Sequence, residues 1–407
     1  MKHIAIIGFG VVGGGITEVI DKNRAAVKKL LGEDINVKYI LDLRDFPDSP
    51  YADRIVHDIS VIAEDSDVSL VCETMGGTKP ALDFSLLMLN SGKSVVTSNK
   101  ELVAKHGTEL LKTAAKNGVH YLYEAAVGGG IPEIRGMRTS LAGDTVSSID
   151  GILNGTTNYI LTRMKDAGIT FEEALGEAQQ LGYAEKDPTA DVDGFDAQRK
   201  IMILTAVATN LLCNENDVYC ETMSRITPMD MDAAKRFGGT VKLIGSSRIE
   251  VDGASLFVCP FFVPDTCPLA FVNDVYNGIR VCSPITGDVM FYGRGAGRMP
   301  TAGAVVSDVI SVFSGLAEKE KPALWKEAPT GYITPFEENS FSYYIRIRTD
   351  CGYDAKEAVL CTFGGARELS SSPDGYTEFI TDKISECSAH KFFDSHSGIE
   401  SRIRVMD

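Results

Sequence analysis

The 407-residue sequence predicts an α/β protein in three parts, and three patterns carry that prediction. At the amino end, apolar runs of strand length alternate with amphipathic runs of helix length. That order gives a parallel sheet covered by helices on both faces. In the middle, an acid-rich loop enters the helix IMILTAVATNLL, which is apolar nearly all round and therefore buried. From residue 342 the runs read strand, helix, strand, strand, helix, strand, the βαββαβ order of a split ferredoxin-like unit. Hydrophobic residues make up 44% of the chain, enough for the cores of about two to three domains.

The first part opens with KHIAIIGFGVVGGGITEVI, an apolar strand that ends in G-x-G-x-x-G and starts a helix. Gly8 permits the tight turn, Gly10 lets the backbone approach a pyrophosphate, and Gly13 lets helix pack on strand. With Phe9, Val11 and Val12 between them, these residues form a dinucleotide cradle facing a helix N-terminus, the start of a Rossmann-type domain. The second strand, NVKYILDLRDF, carries the ribose selector at its end. An acid there favours NAD and an arginine tolerates the extra phosphate of NADP. Asp42 and Arg44 are both present; Arg44, nearer the strand end, tilts the reading to NADP with NAD still open. The runs VSLVCETMGG, PALDFSLLMLNSG, SVVTSNK and ELVAKHGTELLKTAAKNG continue as strand, helix, strand and helix. Ligands of such sheets lie beyond the carboxyl ends of the strands, which puts Thr74 and Ser98-Asn99-Lys100 at the crevice and Lys100 toward the nicotinamide.

In the second part, the glycine run of LYEAAVGGGIPEI leaves backbone carbonyls free of side-chain cover, a setting for a hard monovalent cation. The turn of GILNGTTNYIL offers hydroxyls and amides to a polar ligand, or simply caps a helix. The densest chemistry lies in GYAEKDPTADVDGFDAQRK. Pro188 keeps Glu185, Asp187 and Asp191 on a loop, and Asp193 is placed to cap the following helix. Asp196 and Lys200, four residues apart, share a face at the start of that buried helix. Alone, such a spacing reads as a solvated i,i+4 pair; a buried ion pair is costly to desolvate and points to function.

These segments, together with SNKELVA and YGRGAGRMPTAGAVVSD, resemble the homoserine dehydrogenase family in order and spacing over roughly residues 1–315. The resemblance implies NAD- or NADP-dependent interconversion of L-homoserine and L-aspartate 4-semialdehyde, in threonine, methionine and isoleucine biosynthesis. It puts the proton-transfer lysine at Lys200, substrate carboxylates at Glu185, Asp191 and Asp196, and a cofactor-side lysine at Lys100. Gly182 and Gly297 join the loop from Gly8 to Gly13 as cofactor contacts. A monovalent cation site, for sodium, falls on Glu124, Val127, Gly129 and Ile131. The domains it implies are 1–130 with 300–335 for the dinucleotide, 131–299 for substrate and dimerisation, and 342–407 as a compact module similar to ACT regulatory units. A homodimer or homotetramer is the implied assembly.

The formal net charge of -16 argues against nucleic acid and anionic membrane as partners. Nine cysteines without a C-x-x-C pair suggest reduced thiols of a cytoplasmic protein, with no zinc site and no disulfide framework. No apolar run has the length of a membrane span. A second reading, a non-catalytic or differently specific relative that binds a cofactor or amino acid, would be marked by loss of Lys100, Glu185, Asp196 or Lys200. All four are present.

Overall fold

The computed structural model describes residues 1–319, 324–370 and 372–406. Residues 320–323, in the expected return to the cofactor domain, lie outside the described residues. So do positions 371 and 407, at the ends of two expected carboxyl-terminal strands. Among the described residues there are two large sheets, one of six strands and one of eleven.

The first sheet is parallel throughout and runs β3-β2-β1-β4-β5-β6, where β1 is Lys2–Ile7, β2 Ile35–Leu41, β3 Ile55–Val56, β4 Val68–Glu73, β5 Ser94–Thr97 and β6 Tyr121–Leu122. This is the doubly wound dinucleotide-binding order, and it follows from apolar strands buried on both sides. Ile4, Ile6, Leu70 and Val96 face helices Val11–Lys22 and Arg298–Phe313 through Ile16, Ile20, Val305 and Val309. Ala5, Ile7, Val71 and Val95 face helices Ala81–Asn90 and Lys100–Asn117 through Leu89, Leu102, Val103 and Leu110. Helix Arg298–Phe313 thus returns to the first sheet from far along the chain. The expected return does not continue to residue 335. Lys326–Glu327 pairs with Leu211–Leu212, and Thr334 donates to the Ala254 carbonyl, so these residues follow the second layer.

The second sheet centres on the antiparallel pair Gly239–Ile249 and Ala254–Pro264, in register from Gly239 opposite Pro264 to Ile249 opposite Ala254. Ser148–Ile152 and the hairpin Tyr276–Ser283 with Gly287–Arg294 extend one side. The other side is extended by the carboxyl-terminal unit, whose strands run Ile399–Val405, Ser340–Arg348, Tyr376–Thr381, Ala366–Glu368. That 4-1-3-2 order is the one a βαββαβ unit adopts when each crossover is right-handed. The unit is not a free-standing module. Ile399–Val405 pairs in parallel with Ala254–Pro264 through Phe261–Arg404 and Phe262–Val405, which makes one continuous sheet. Buried ion pairs reinforce the seam: Arg404 with Glu386 and Glu221, and Arg346 with Asp230 at 2.9 Å. No helix among the described residues is long and apolar enough to cross a membrane.

Candidate active site

At the end of β1 the chain turns through Gly8, whose φ of 92° belongs to the left-handed region. A Cβ on Gly13 would lie 2.1 Å from the Gly8 carbonyl oxygen, so the helix packs on the turn only with glycine there. A Cβ on Gly10 would meet nothing within 4 Å, which leaves its backbone open to a ligand. Helix Val11–Lys22 has no side-chain cap and no acid in its first turn. Its orphan N–H groups and positive dipole end suit a pyrophosphate. Behind the turn, the Thr74 hydroxyl donates to the Gly8 carbonyl at 2.7 Å.

Beyond β2, Asp42 accepts from the Phe9 N–H at 2.8 Å and from Arg44 Nε and Nη2 at 3.0 and 3.1 Å. The Arg44 hydrogen bond outweighs desolvation and holds the Asp42 carboxyl at about 2. Val11 and Val12 begin the helix, and Phe9 packs edge-on to Phe46, over which the Arg44 guanidinium also lies.

The chemical centre lies where the two layers meet. Gly194, with φ 84°, starts helix Phe195–Thr209; a Cβ there would come 2.9 Å from Val258 Cγ1. It occupies the cap position expected for Asp193, which instead ends the short helix Thr189–Val192. Asp191 therefore sits on that helix, not on the loop expected for it. Asp187 accepts from the Thr189 N–H and hydroxyl and serves the turn alone.

One helical turn in, Lys200 Nζ donates to Asp196 Oδ2 at 2.7 Å and to the Leu153 carbonyl at 2.6 Å. Lys200 is 7% exposed and Asp196 5%. The other Asp196 oxygen pairs with Lys100 Nζ at 2.7 Å, from the first residue of helix Lys100–Asn117 beyond β5. Burial pushes the Asp196 carboxyl up, but the charges of Lys200 and Lys100 and their hydrogen bonds more than offset it, so it lies below its ordinary range. Asp196 in turn raises the Lys100 ammonium, against desolvation.

Asn154 was not singled out from the sequence. Its Oδ1 caps helix Gly155–Ala167 by accepting from the Thr157 N–H, while its Nδ2 donates to Asp191 at 2.7 Å and Asp196 at 2.8 Å. The N-cap reading of that turn was right, and the free end of the amide spaces two carboxylates. Burial, and then the Asp196 charge, raise the Asp191 carboxyl, opposed by the Asn154 hydrogen bond. Glu73, also unanticipated, ends β4 fully buried, accepting from the Thr97 hydroxyl and from the Met75 N–H at 2.7 Å. Desolvation pushes its carboxyl up to about 7.

Other expected site residues make no hydrogen bond or ion pair with this cluster among the described residues. Glu185 is exposed, and its carboxylate makes no hydrogen bond or ion pair among the described residues. Gly182, φ 75°, lies on the exposed turn after helix Phe171–Gln180. Gly297 begins helix Arg298–Phe313, and the turn before it packs on the glycine run: a Cβ on Gly129 would lie 2.7 Å from the Gly295 oxygen. In that run the Glu124 carboxylate is buried and accepts from the Arg135 N–H. Burial, then the Asp308 charge, push it up to about 8. The carbonyls of Val127, Gly129 and Ile131 accept no hydrogen bond among the described residues. No group of three or more His, Cys, Asp or Glu side chains arranged to hold a metal occurs among those residues, so a cation here would depend on the carbonyls.

A dinucleotide crevice facing a buried lysine–carboxylate centre defines the class: a nicotinamide-dependent dehydrogenase. Residues 8–124 match the model of the homoserine dehydrogenase NAD-binding domain, and residues 132–310 match that of homoserine dehydrogenase. The homoserine dehydrogenase of Synechocystis sp. is 42% identical over 331 residues, 79% of this chain and 76% of that protein. The crystal structure of a homoserine dehydrogenase from Thiobacillus denitrificans superposes with a TM-score of 0.89 at 31% identity, covering 100% of this chain and 98% of that one. A hyperthermophilic archaeal homoserine dehydrogenase mutant in complex with NADPH gives 0.66 at 26% identity, covering 79% and 99%. The chain belongs to the homoserine dehydrogenase family, and it is an oxidoreductase with an NAD(P)-binding domain.

Proposed function

We propose that Lys200 carries the proton in the interconversion of L-homoserine and L-aspartate 4-semialdehyde, with Asp196 and Lys100 completing the centre. The observation behind this reading is the Asp196 carboxylate, buried and bonded at 2.7 Å to ammonium groups from both layers. When bound, the nicotinamide dinucleotide accepts or supplies the hydride. In oxidation Lys200 acts from its neutral amine form, whose free lone pair takes the homoserine hydroxyl proton as the hydride leaves the carbon bearing that hydroxyl; in reduction the resulting ammonium returns that proton to the aldehyde oxygen. Asp196 and the Leu153 carbonyl hold two of the three Nζ donor positions, which leaves one for the substrate oxygen.

Asp191 and Glu185 take the substrate ammonium group, because an amino-acid substrate calls for carboxylates around it. Asn154 keeps Asp191 and Asp196 at a fixed spacing.

NADP is the favoured cofactor and NAD the other. Arg44 is 64% exposed at the crevice rim, and the Asp42 carboxylate is already occupied by Phe9 and Arg44. In this reading Gly182 and Gly297 are further contacts of the cofactor. The cation of the glycine run is sodium in this reading, held by Glu124 with Val127, Gly129 and Ile131. The protein works in the cytoplasm as a homodimer or homotetramer, and its carboxyl-terminal unit is an ACT-like module.

The purified chain, given L-homoserine with NADP and with NAD in parallel, should reduce the nicotinamide, faster with NADP. No reduction with either would favour the non-catalytic relative instead.

A further inference from the structure

The link from Lys100 to Asp196 does not stand alone. One residue after Lys100, Glu101 Oε1 lies 3.7 Å from Nη2 of Arg199, the residue before Lys200. One helical turn further on, Lys105 Nζ lies 3.6 Å from Glu215 Oε2. Glu101 and Lys105 belong to helix Lys100–Asn117 of the first layer. Arg199 lies on helix Phe195–Thr209, and the Gln198 amide fixes Glu215 beside it by donating to the Glu215 carbonyl at 2.9 Å. Within each layer the pairs are hydrogen-bonded: Lys105 to Glu101 at 2.9 Å, and Arg199 Nε to Glu215 at 2.9 Å. The four charges therefore form a closed ring of alternating sign, two from each layer. Their side chains are between 22% and 35% exposed, which leaves the ring only partly screened by solvent.

We infer that Glu101, Lys105, Arg199 and Glu215 are positioning residues of the reaction: their ring draws the two layers together so that Lys100 meets Asp196 beside Lys200. This rests on the reading that Lys200 and Asp196 carry the chemistry. The distances suit a contact made and broken in each turnover. Contacts within a layer are at hydrogen-bond length, whereas those across the layers are longer and held by charge alone. If the layers part, each keeps a neutral, hydrogen-bonded pair, so no charge is stranded. If they close, opposite charges face at two places, and the crevice shuts on its ligands. An isolated surface pair would contribute little; a ring with both cross-layer contacts matched in sign favours one approach of the layers. The Lys105 hydrogen bond, against desolvation, holds the Glu101 carboxyl below its ordinary range, so the ring stays charged at neutral pH.

The test reverses one half of the ring. In the double variant Glu101→Lys with Lys105→Glu, the first-layer pair stays neutral, but like charges now face across the layers at both contacts. Adding Arg199→Glu and Glu215→Arg restores opposite charges. With L-homoserine and NADP, kcat/KM of the double variant should fall about tenfold, mainly through KM, and the quadruple variant should recover most of the loss. A purely structural role for these residues would leave the quadruple variant as poor as the double or worse. Hydrogen exchange of the full chain reads the same approach without turnover: peptides spanning 99–105 and 195–201 should exchange faster in the double variant and return toward wild type in the quadruple. Wild-type kcat/KM and exchange in the double variant, or a loss not recovered in the quadruple, overturns the role of the ring. A wild-type chain inactive toward homoserine overturns the reading of Lys200 instead, and the exchange rates still decide the ring.

Discussion

Asp196 binds two ammonium groups that arrive from separate layers of the molecule, Lys200 one helical turn away and Lys100 from the helix after β5. Replacing it with asparagine removes the charge that both lysines face and keeps the shape. Asp196→Asn should lower kcat about a hundredfold while dinucleotide affinity, measured by fluorescence titration, stays unchanged. An unaltered kcat would remove Asp196 from the chemistry. Glu73 makes a different kind of prediction. Its carboxyl is raised by burial from an ordinary 4.5 to about 7. The native state therefore holds a proton there that the unfolded chain gives up nearer 4.5. The resulting stability is fully present below about pH 4.5 and is lost as pH rises through 7. Relative to wild type, Glu73→Gln should gain about 2–3 kcal/mol between pH 5 and pH 8 in urea unfolding. A difference that stays constant over this range would contradict the assigned shift.

At the scale of elements, the turn from β1 into helix Val11–Lys22 depends on the contact between Gly13 and the Gly8 carbonyl. A methyl at Gly13 forces the two apart and opens the cradle. Gly13→Ala should weaken NADP binding at least about tenfold, or 1.4 kcal/mol; wild-type affinity would mean that the turn does not hold the pyrophosphate. Elsewhere, strand Ile399–Val405 joins Ala254–Pro264 through two paired positions among the described residues. The seam therefore leans on Arg404, 4% exposed and bound to Glu386 and Glu221. Removing one partner of a buried pair strands the other. Arg404→Leu should destabilise the chain by about 3–5 kcal/mol in urea unfolding, and a loss below about 1 kcal/mol would show that the strand pairing suffices.

At the scale of the whole molecule, what could be read from the sequence was what is local. The glycine turn, the doubly wound alternation and the βαββαβ order each rest on periodicity and turn residues within a few tens of positions, and each is found in the structure. The Asp196–Lys200 pair was legible for the same reason, through its i,i+4 spacing. What was hidden depends on contacts between distant segments. The fusion of Ile399–Val405 to Ala254–Pro264 leaves no local trace, because an edge strand and a central strand read alike. The link from Lys100 to Asp196 spans both layers. Asn154 looks like any helix cap until Asp191 and Asp196 are brought to its free amide. Gly194 displaced Asp193 from the cap because Val258, far along the chain, leaves no room for a side chain. The central claim is that the fold brings one lysine to a substrate poised against the dinucleotide crevice. The most direct test is Lys200→Ala, assayed for homoserine-dependent nicotinamide reduction beside NADP binding. Turnover should fall by about a thousandfold or more with dinucleotide affinity unchanged, whereas near-normal turnover in the variant would contradict the account.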